Sequence, residues 1–247
     1  DAFTKILQTN RGKEMNSPYT LTKEQYQELY KGVLLFAQIG GVVNDEEGIW
    51  KMCLEEHSEL MMAIREGNKI LTIDSVCDQF VTFAQLHHHY MSKPTWEQPI
   101  TSVWIGNTHD MLVYLKGRNE AAVLPLIHYW LMSAKLQAEI LGFNLYKAIK
   151  EVNRSNMTKF VPVKNTCIMN YRVTKDALDE LAKECEELSK GKYKDVAAEI
   201  VYHSETDNDF HGKELIVFRE NFGKGKICKN FDWYQEPDFT HCLLENL

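Results

Sequence analysis

At 247 residues, 44% hydrophobic and 26% charged, the chain carries enough apolar side chains to bury a full core and has the composition of an ordinary globular protein. A formal charge of −7 argues against a nonspecific binder of polymeric nucleic acid, which needs a basic surface, though not against one nucleotide held through a metal ion. No apolar run approaches the roughly 20 residues of a membrane span and the first residues do not resemble a signal peptide, so a cytoplasmic protein with no membrane partner is expected.

Residues 1–21 are polar and broken by Asn10-Arg11-Gly12 and Ser17-Pro18, which predicts an irregular lead-in. A helical core is expected over residues 22–160. Thr22 and Gln25 have the spacing of a capping box and open a helix that runs to Ile39 and stops at Gly40-Gly41. Asn44 or Asp45 caps the next helix, with Glu46 and Glu47 at its positive end. Its apolar stripe is Ile49, Cys53, Leu60 and Ile64, and Glu56 falls on the core-facing position between Cys53 and Leu60. Gly67-Asn68 ends that helix and residues 69–73 lead into a third. From Asp74 to Met91 the pattern is apolar nearly all round, the mark of a central bundle helix. His87, His88 and His89 point about 100° apart on a helix and cannot all ligate one ion. Helix-end or surface positions are expected for them, with substrate contact as the other reading.

Pro94 to Pro99 and Ser102 to Asp110 read as loops whose Trp96 and Trp104 either pack or stack on a base. A short helix is predicted over 110–117, and a longer one capped by Asn119 reaches Leu141 with Pro125 near its start. Past Gly142 another helix spans about 143–156, and Asn153, Asn156 and Lys159 share adjoining faces if it continues that far. A lysine there also suits the helix dipole. Over 161–222 the character changes to an α+β insertion, with a charged amphipathic helix from Thr174 to Lys190 and two strands, 196–202 and 214–219, joined as a hairpin. Residues 223–247 form a tail expected to pack on the core. The six cysteines include no C-x-x-C pair, and reduced thiols are the expectation.

Two acidic clusters carry the chemistry: Glu55, Glu56 and Glu59, then Asp74 and Asp78. On a helix Glu56 and Glu59 project roughly 60° apart and Asp74 and Asp78 roughly 40° apart, so each pair shares a face. If the two faces oppose on antiparallel helices, four or five carboxylates converge, and their repulsion is relieved by a cation. A hard ion suits them, most simply Mg²⁺ with Mn²⁺ as a substitute, and phosphate is its natural further ligand. The chain holds no G-x-x-x-x-G-K-S/T loop, which disfavours a P-loop mechanism, and no Glu-x-x-His, which disfavours a di-iron bundle.

The run EEHSELMMAIREGN followed by IDSVCDQFV resembles the E-E-x-x-E and downstream acidic motifs of the all-α nucleoside triphosphate pyrophosphohydrolases, the superfamily of MazG-type enzymes, dimeric dUTPases and phosphoribosyl-ATP pyrophosphohydrolases. EVNRSNMTKF is similar to the Ser-Asn-Met-Ser/Thr-Lys signature of MazG-like members often encoded by bacteriophages, and GKICKNFDWYQEPDF to the ending of those members. The likeness covers about residues 28–160 and 223–243. It implies a mainly α, MazG-like bundle with a C-terminal insertion of one helix and a β-hairpin. It further implies a Mg²⁺-dependent enzyme that cleaves a nucleoside triphosphate to monophosphate and pyrophosphate, working as a homodimer or higher homo-oligomer, in a host cytoplasm if phage-encoded. By position Glu56, Glu59 and Asp78 match the metal carboxylates, and Glu55 a further ligand or water-orienting base. Asp74 matches the D-x-x-x-D form of the phage-type members, where MazG itself has a Glu at the position of Ser75. Asn153, Asn156 and Lys159 match phosphate contacts. A non-catalytic nucleotide sensor or regulatory protein on the same core is the alternative.

Overall fold

A computed structural model describes residues 17–41, 46–91, 116–117, 120–163, 174–203, 213–223, 225–230 and 232–244. The expected caps at Asn44, Asp45 and Asn119, both tryptophan loops, most of the 110–117 helix, Cys167 and the hairpin turn lie outside these residues. The chain is mainly helical with a small three-stranded antiparallel sheet. It divides into two compact units, residues 1–153 with 237–247, and residues 154–236. Among the described residues no helix is long and apolar enough to cross a membrane.

In the first unit α1 (Lys23–Ile39) begins at the expected capping box: the Thr22 hydroxyl accepts from Gln25 N–H, and Gln25 Oε1 accepts from Thr22 N–H. This satisfies two of the amide donors that a helix start otherwise leaves open. Next come α2 (Glu46–Glu66) and α3 (Lys69–Met91). Only Gly67 and Asn68 separate them, so α2 and α3 form a tight antiparallel hairpin. Gly67 takes the left-handed φ of +67° that glycine adopts without strain, and Asn68 Oδ1 accepts from Leu71 N–H at 3.1 Å. Asn68 therefore starts α3, and residues 69–73 are its first turn, not a lead-in ahead of Asp74.

Helix α3 is central, packing against α1, α2 and α4 (Val123–Leu141). Its residues are buried nearly all round from Ser75 to His87, as the apolar pattern predicts. The Phe80 ring meets Tyr26 of α1 edge-on at 5.6 Å and Trp130 of α4 at 5.1 Å, and Trp130 Nε1–H donates to the Val76 carbonyl at 2.9 Å. His87 is a core residue, not a helix-end one: it is buried and bonds Tyr26 Oη through Nδ1 at 3.2 Å. His88 pairs with Tyr30 in the same way at 3.2 Å. Pro125 occupies the third position of α4, where its missing N–H is harmless. Helix α5 (Leu145–Met157) is capped by Asn144, whose Oδ1 accepts from Lys147 N–H. Residues 237–244 return to this corner: Asn144 N–H donates to Cys242 O and Leu244 N–H to Gly142 O, both at 2.8 Å, and Phe239 and Cys242 are buried in the core.

The second unit contains β1 (Val161–Pro162), α6 (Lys175–Leu188), β2 (Ala197–His203) and β3 (Lys213–Arg219). Thr174 caps α6 as expected, and β2 and β3 form the expected hairpin. The sheet order is β1-β3-β2, with Val161 opposite Ile216 on one side and Ile200 opposite Ile216 on the other. Strand β1 was not expected; two residues are too few to show a period. Val161, Cys185, Tyr193, Ile216, Phe218 and Cys228 make a small separate core.

Candidate active site

The hairpin of α2 and α3 positions both acidic clusters. Its seam is fixed by two polar side chains, each 1% exposed: Gln79 Nε2–H donates to His57 Nδ1 at 3.1 Å. An amide nitrogen only donates, so Nδ1 is the acceptor and the ring proton sits on Nε2. Burial lowers the His57 pKa, which keeps the ring neutral. Nε2 is itself buried and has no hydrogen-bond partner among the described residues.

With His57 and Gln79 facing each other, an advance of about 100° per residue turns Glu56 and Asp78, each one residue earlier, to the same edge of the antiparallel pair. Asp74 lies one turn before Asp78 along that edge. Phe80 and His87 turn to the opposite edge, where they meet Tyr26, Tyr30 and Trp130. Glu56, Asp74 and Asp78 are half-buried, and Glu56 Oε2 is shut off from solvent. Glu55 is half-buried and Glu59 exposed; both stand about 200° from His57, on the outer face of α2.

One expectation changes here. The stripe on α2 is Ile49, Trp50, Cys53, His57, Leu60 and Ala63, while Ile64 is 39% exposed. The fully buried position between Cys53 and Leu60 belongs to His57, and Glu56 sits at the margin of the stripe.

The carboxylates act on the thiols behind them. Burial, with the Glu56 charge adding to it, pushes the Cys53 thiol up to about 12. Burial raises Cys77 well above the usual thiol range, and Asp74 and Asp78 raise it further. Both cysteines are therefore protonated packing residues and not ligands. The donors along the edge are all carboxylate oxygens, the chemistry a hard divalent cation takes. Among the described residues, no three His, Cys, Asp or Glu side chains converge into a set that could hold a metal ion. The backbone thus aligns the edge without drawing its side chains into a cage.

The predicted phosphate contacts are placed separately. Asn153, in the first unit, donates from Nδ2 to the Leu29 carbonyl of α1 at 3.0 Å and lies against Gly32. Asn156 and Lys159 belong to the second unit. Asn156 is buried near the end of α5, while Lys159 lies beyond the helix, in a turn where its N–H bonds Asn156 O at 3.1 Å. Next to them Ser155 Oγ donates to the Gln235 carbonyl at 2.8 Å and contacts Tyr234 Oη at 3.0 Å.

His57 and Gln79 were missed as site residues in the sequence. The available signal was a polar residue at each of two buried positions equally far from the Gly67-Asn68 turn. No family model, no curated protein and no solved structure matches the chain.

Proposed function

We propose that the chain is a divalent-metal-dependent nucleoside triphosphate pyrophosphohydrolase, giving a nucleoside monophosphate and pyrophosphate. The observation that carries this reading is the shared edge of Glu56, Asp74 and Asp78 on a hairpin pinned by His57 and Gln79. Partly buried carboxylates of one sign repel and lose hydration, so a cation and its phosphate ligand offset a cost that solvated surface acids do not have. The motif order around these residues, which resembles that of the all-α pyrophosphohydrolases, supplies the reaction class.

In this reading Glu56 and Asp78 are the central ligands of Mg²⁺ or Mn²⁺, Asp74 extends the edge, and Glu59 and Glu55 complete the set from the outer face of α2. A bound ion supplies charge neutralisation at the phosphates and acidifies a coordinated water. The chain holds its carboxylates ionised, keeps one Glu56 oxygen dry, and fixes the helix register through a neutral imidazole. Asn153 has a different role: its amide hydrogens are directed to α1, so it positions α5 instead of contacting phosphate. Asn156 and Lys159 stay as phosphate contacts on the resemblance alone.

A second reading, nucleotide binding without turnover, is favoured by one observation: no three donors converge among the described residues. One experiment separates the two. Ribo- and deoxynucleoside triphosphates are incubated with Mg²⁺ and the products separated. Monophosphate plus pyrophosphate is expected; diphosphate plus phosphate overturns the site of cleavage, and saturable binding with no product supports the sensor. In Glu56→Gln, turnover is expected to fall by at least about 100-fold with the fold retained; undiminished activity removes Glu56 from the site.

A further inference from the structure

The second unit contains a pair of thiols that the proposed reaction does not use. Cys185 on α6 and Cys228 on the segment after β3 are both buried in the same small core, among Val161, Tyr193, Ile216 and Phe218. Cys185 Sγ lies 3.7 Å from the carbonyl of Lys229, the residue that follows Cys228, and Cys228 Sγ lies 3.8 Å from the Lys226 carbonyl. The two thiols also share a hydrogen bond. We propose that Cys185 and Cys228 form a reversible dithiol–disulfide site, oxidised by small-molecule disulfides of the glutathione class.

The pair is asymmetric in a way that orders the chemistry. The hydrogen bond from Cys228 lowers the Cys185 pKa, while the same bond and burial raise that of Cys228. Cys185 is therefore the attacking thiolate and Cys228 the resolving thiol. Cys185 attacks one sulfur of the oxidant, a sulfur–sulfur bond to glutathione forms, and the first glutathione thiolate leaves. Cys228 then attacks the Cys185 sulfur, the Cys185–Cys228 bond forms, and the second glutathione thiolate leaves. The two thiol protons end on the two glutathiones, and the oxidant is reduced by the two electrons the cysteines give up.

Access to the buried pair comes from α6. Ala182 and Cys185 are the only fully buried residues of this 14-residue helix, so α6 is held by few contacts and opens at low cost compared with the first-unit helices. Closing the bond ties α6 to the segment that begins at Cys228. Lys229 N–H donates to Tyr193 Oη, Lys229 Nζ bonds Glu236 at 3.2 Å and lies 4.4 Å from the Tyr234 ring centroid, and Tyr234 in turn meets Ser155. The redox state of the pair therefore reaches the residue beside Asn156 within one unit.

The test uses the full chain, incubated with glutathione disulfide, alkylated, digested and mapped by mass spectrometry. The expected product is a Cys185 peptide linked to a Cys228 peptide and lacking two hydrogens, restored to two alkylated peptides by dithiothreitol. In Cys228→Ser the reaction is expected to stop at a glutathione adduct on Cys185, which wild type does not accumulate. Recovery of both cysteines as alkylated thiols from oxidised wild type overturns the proposal. So does a Cys185 link to any other cysteine.

Discussion

Replacing Gln79 by leucine tests the seam on which the candidate site depends. Gln79 and His57 are each 1% exposed and share one 3.1 Å hydrogen bond, and His57 Nε2 already lacks a hydrogen-bond partner among the described residues. Gln79→Leu leaves both ring nitrogens buried without a hydrogen bond, at a cost of about 1–3 kcal/mol. His57→Leu strands the Gln79 amide at a similar cost. The double variant removes both polar groups and leaves a near-isosteric apolar contact, so its stability is expected within about 1 kcal/mol of wild type. The cycle then shows a coupling of roughly 2–4 kcal/mol, opposite in sign to the sum of the single losses. Urea unfolding at neutral pH, followed by helical circular dichroism, measures all four chains. Strictly additive losses refute the seam, because they mean that the two side chains do not interact.

Two further outcomes follow from the same unit. Burial, with the nearby His88 adding to it, holds the His87 pKa down to about 4 from 6.5, so the folded ring stays neutral while the unfolded chain takes up a proton. Its stabilisation is complete above the unfolded value and is lost as pH falls, by about 2 kcal/mol at pH 5. His87→Gln, which keeps an acceptor for Tyr26, is expected to flatten that part of a pH series of unfolding midpoints; an unchanged slope assigns the acid sensitivity elsewhere. At Gly32, an added Cβ falls 2.9 Å from Asn153 Nδ2, so Gly32→Ala is expected to break the Asn153–Leu29 bond. The net loss is about 0.5–1 kcal/mol despite alanine's better helix propensity. In an Asn153→Ala background the same substitution becomes stabilising, and failure to change sign in thermal melts counts against the contact.

Local chemistry was legible and cross-helix choice was not. Thr22 and Gln25, Gly67 and Asn68, and Thr174 each act on backbone within a few residues, so α1, the hairpin turn and the α6 start could be read from the sequence. Between Cys53 and Leu60 lie almost two helical turns, and residues 56 and 57 stand equally far, about 50°, from the line joining them. Periodicity alone cannot choose between them. Gln79, 22 residues away across the seam, makes the choice for His57. The first turn of α3 was hidden because Ile70 and Leu71 are exposed, so its apolar residues follow no buried stripe. Asn153 has the residue type of a phosphate contact, and only the Leu29 carbonyl, 124 residues earlier, reveals its other use. The acidic edge itself was legible as residue types at a spacing; its handedness, with Glu56 and Asp78 on one side, needed the register.

The return of residues 237–244 to the start of α5 has a consequence during synthesis. The first unit cannot seal its corner at Gly142 and Asn144 until Cys242 and Leu244 exist, and those residues emerge from the ribosome after the whole second unit. Until then the pocket for Phe239 and Cys242 stays open, exposing apolar surface to chaperones and proteases. A chain stalled or cleaved a few residues early retains every carboxylate of the candidate site yet lacks the stitch that closes its core.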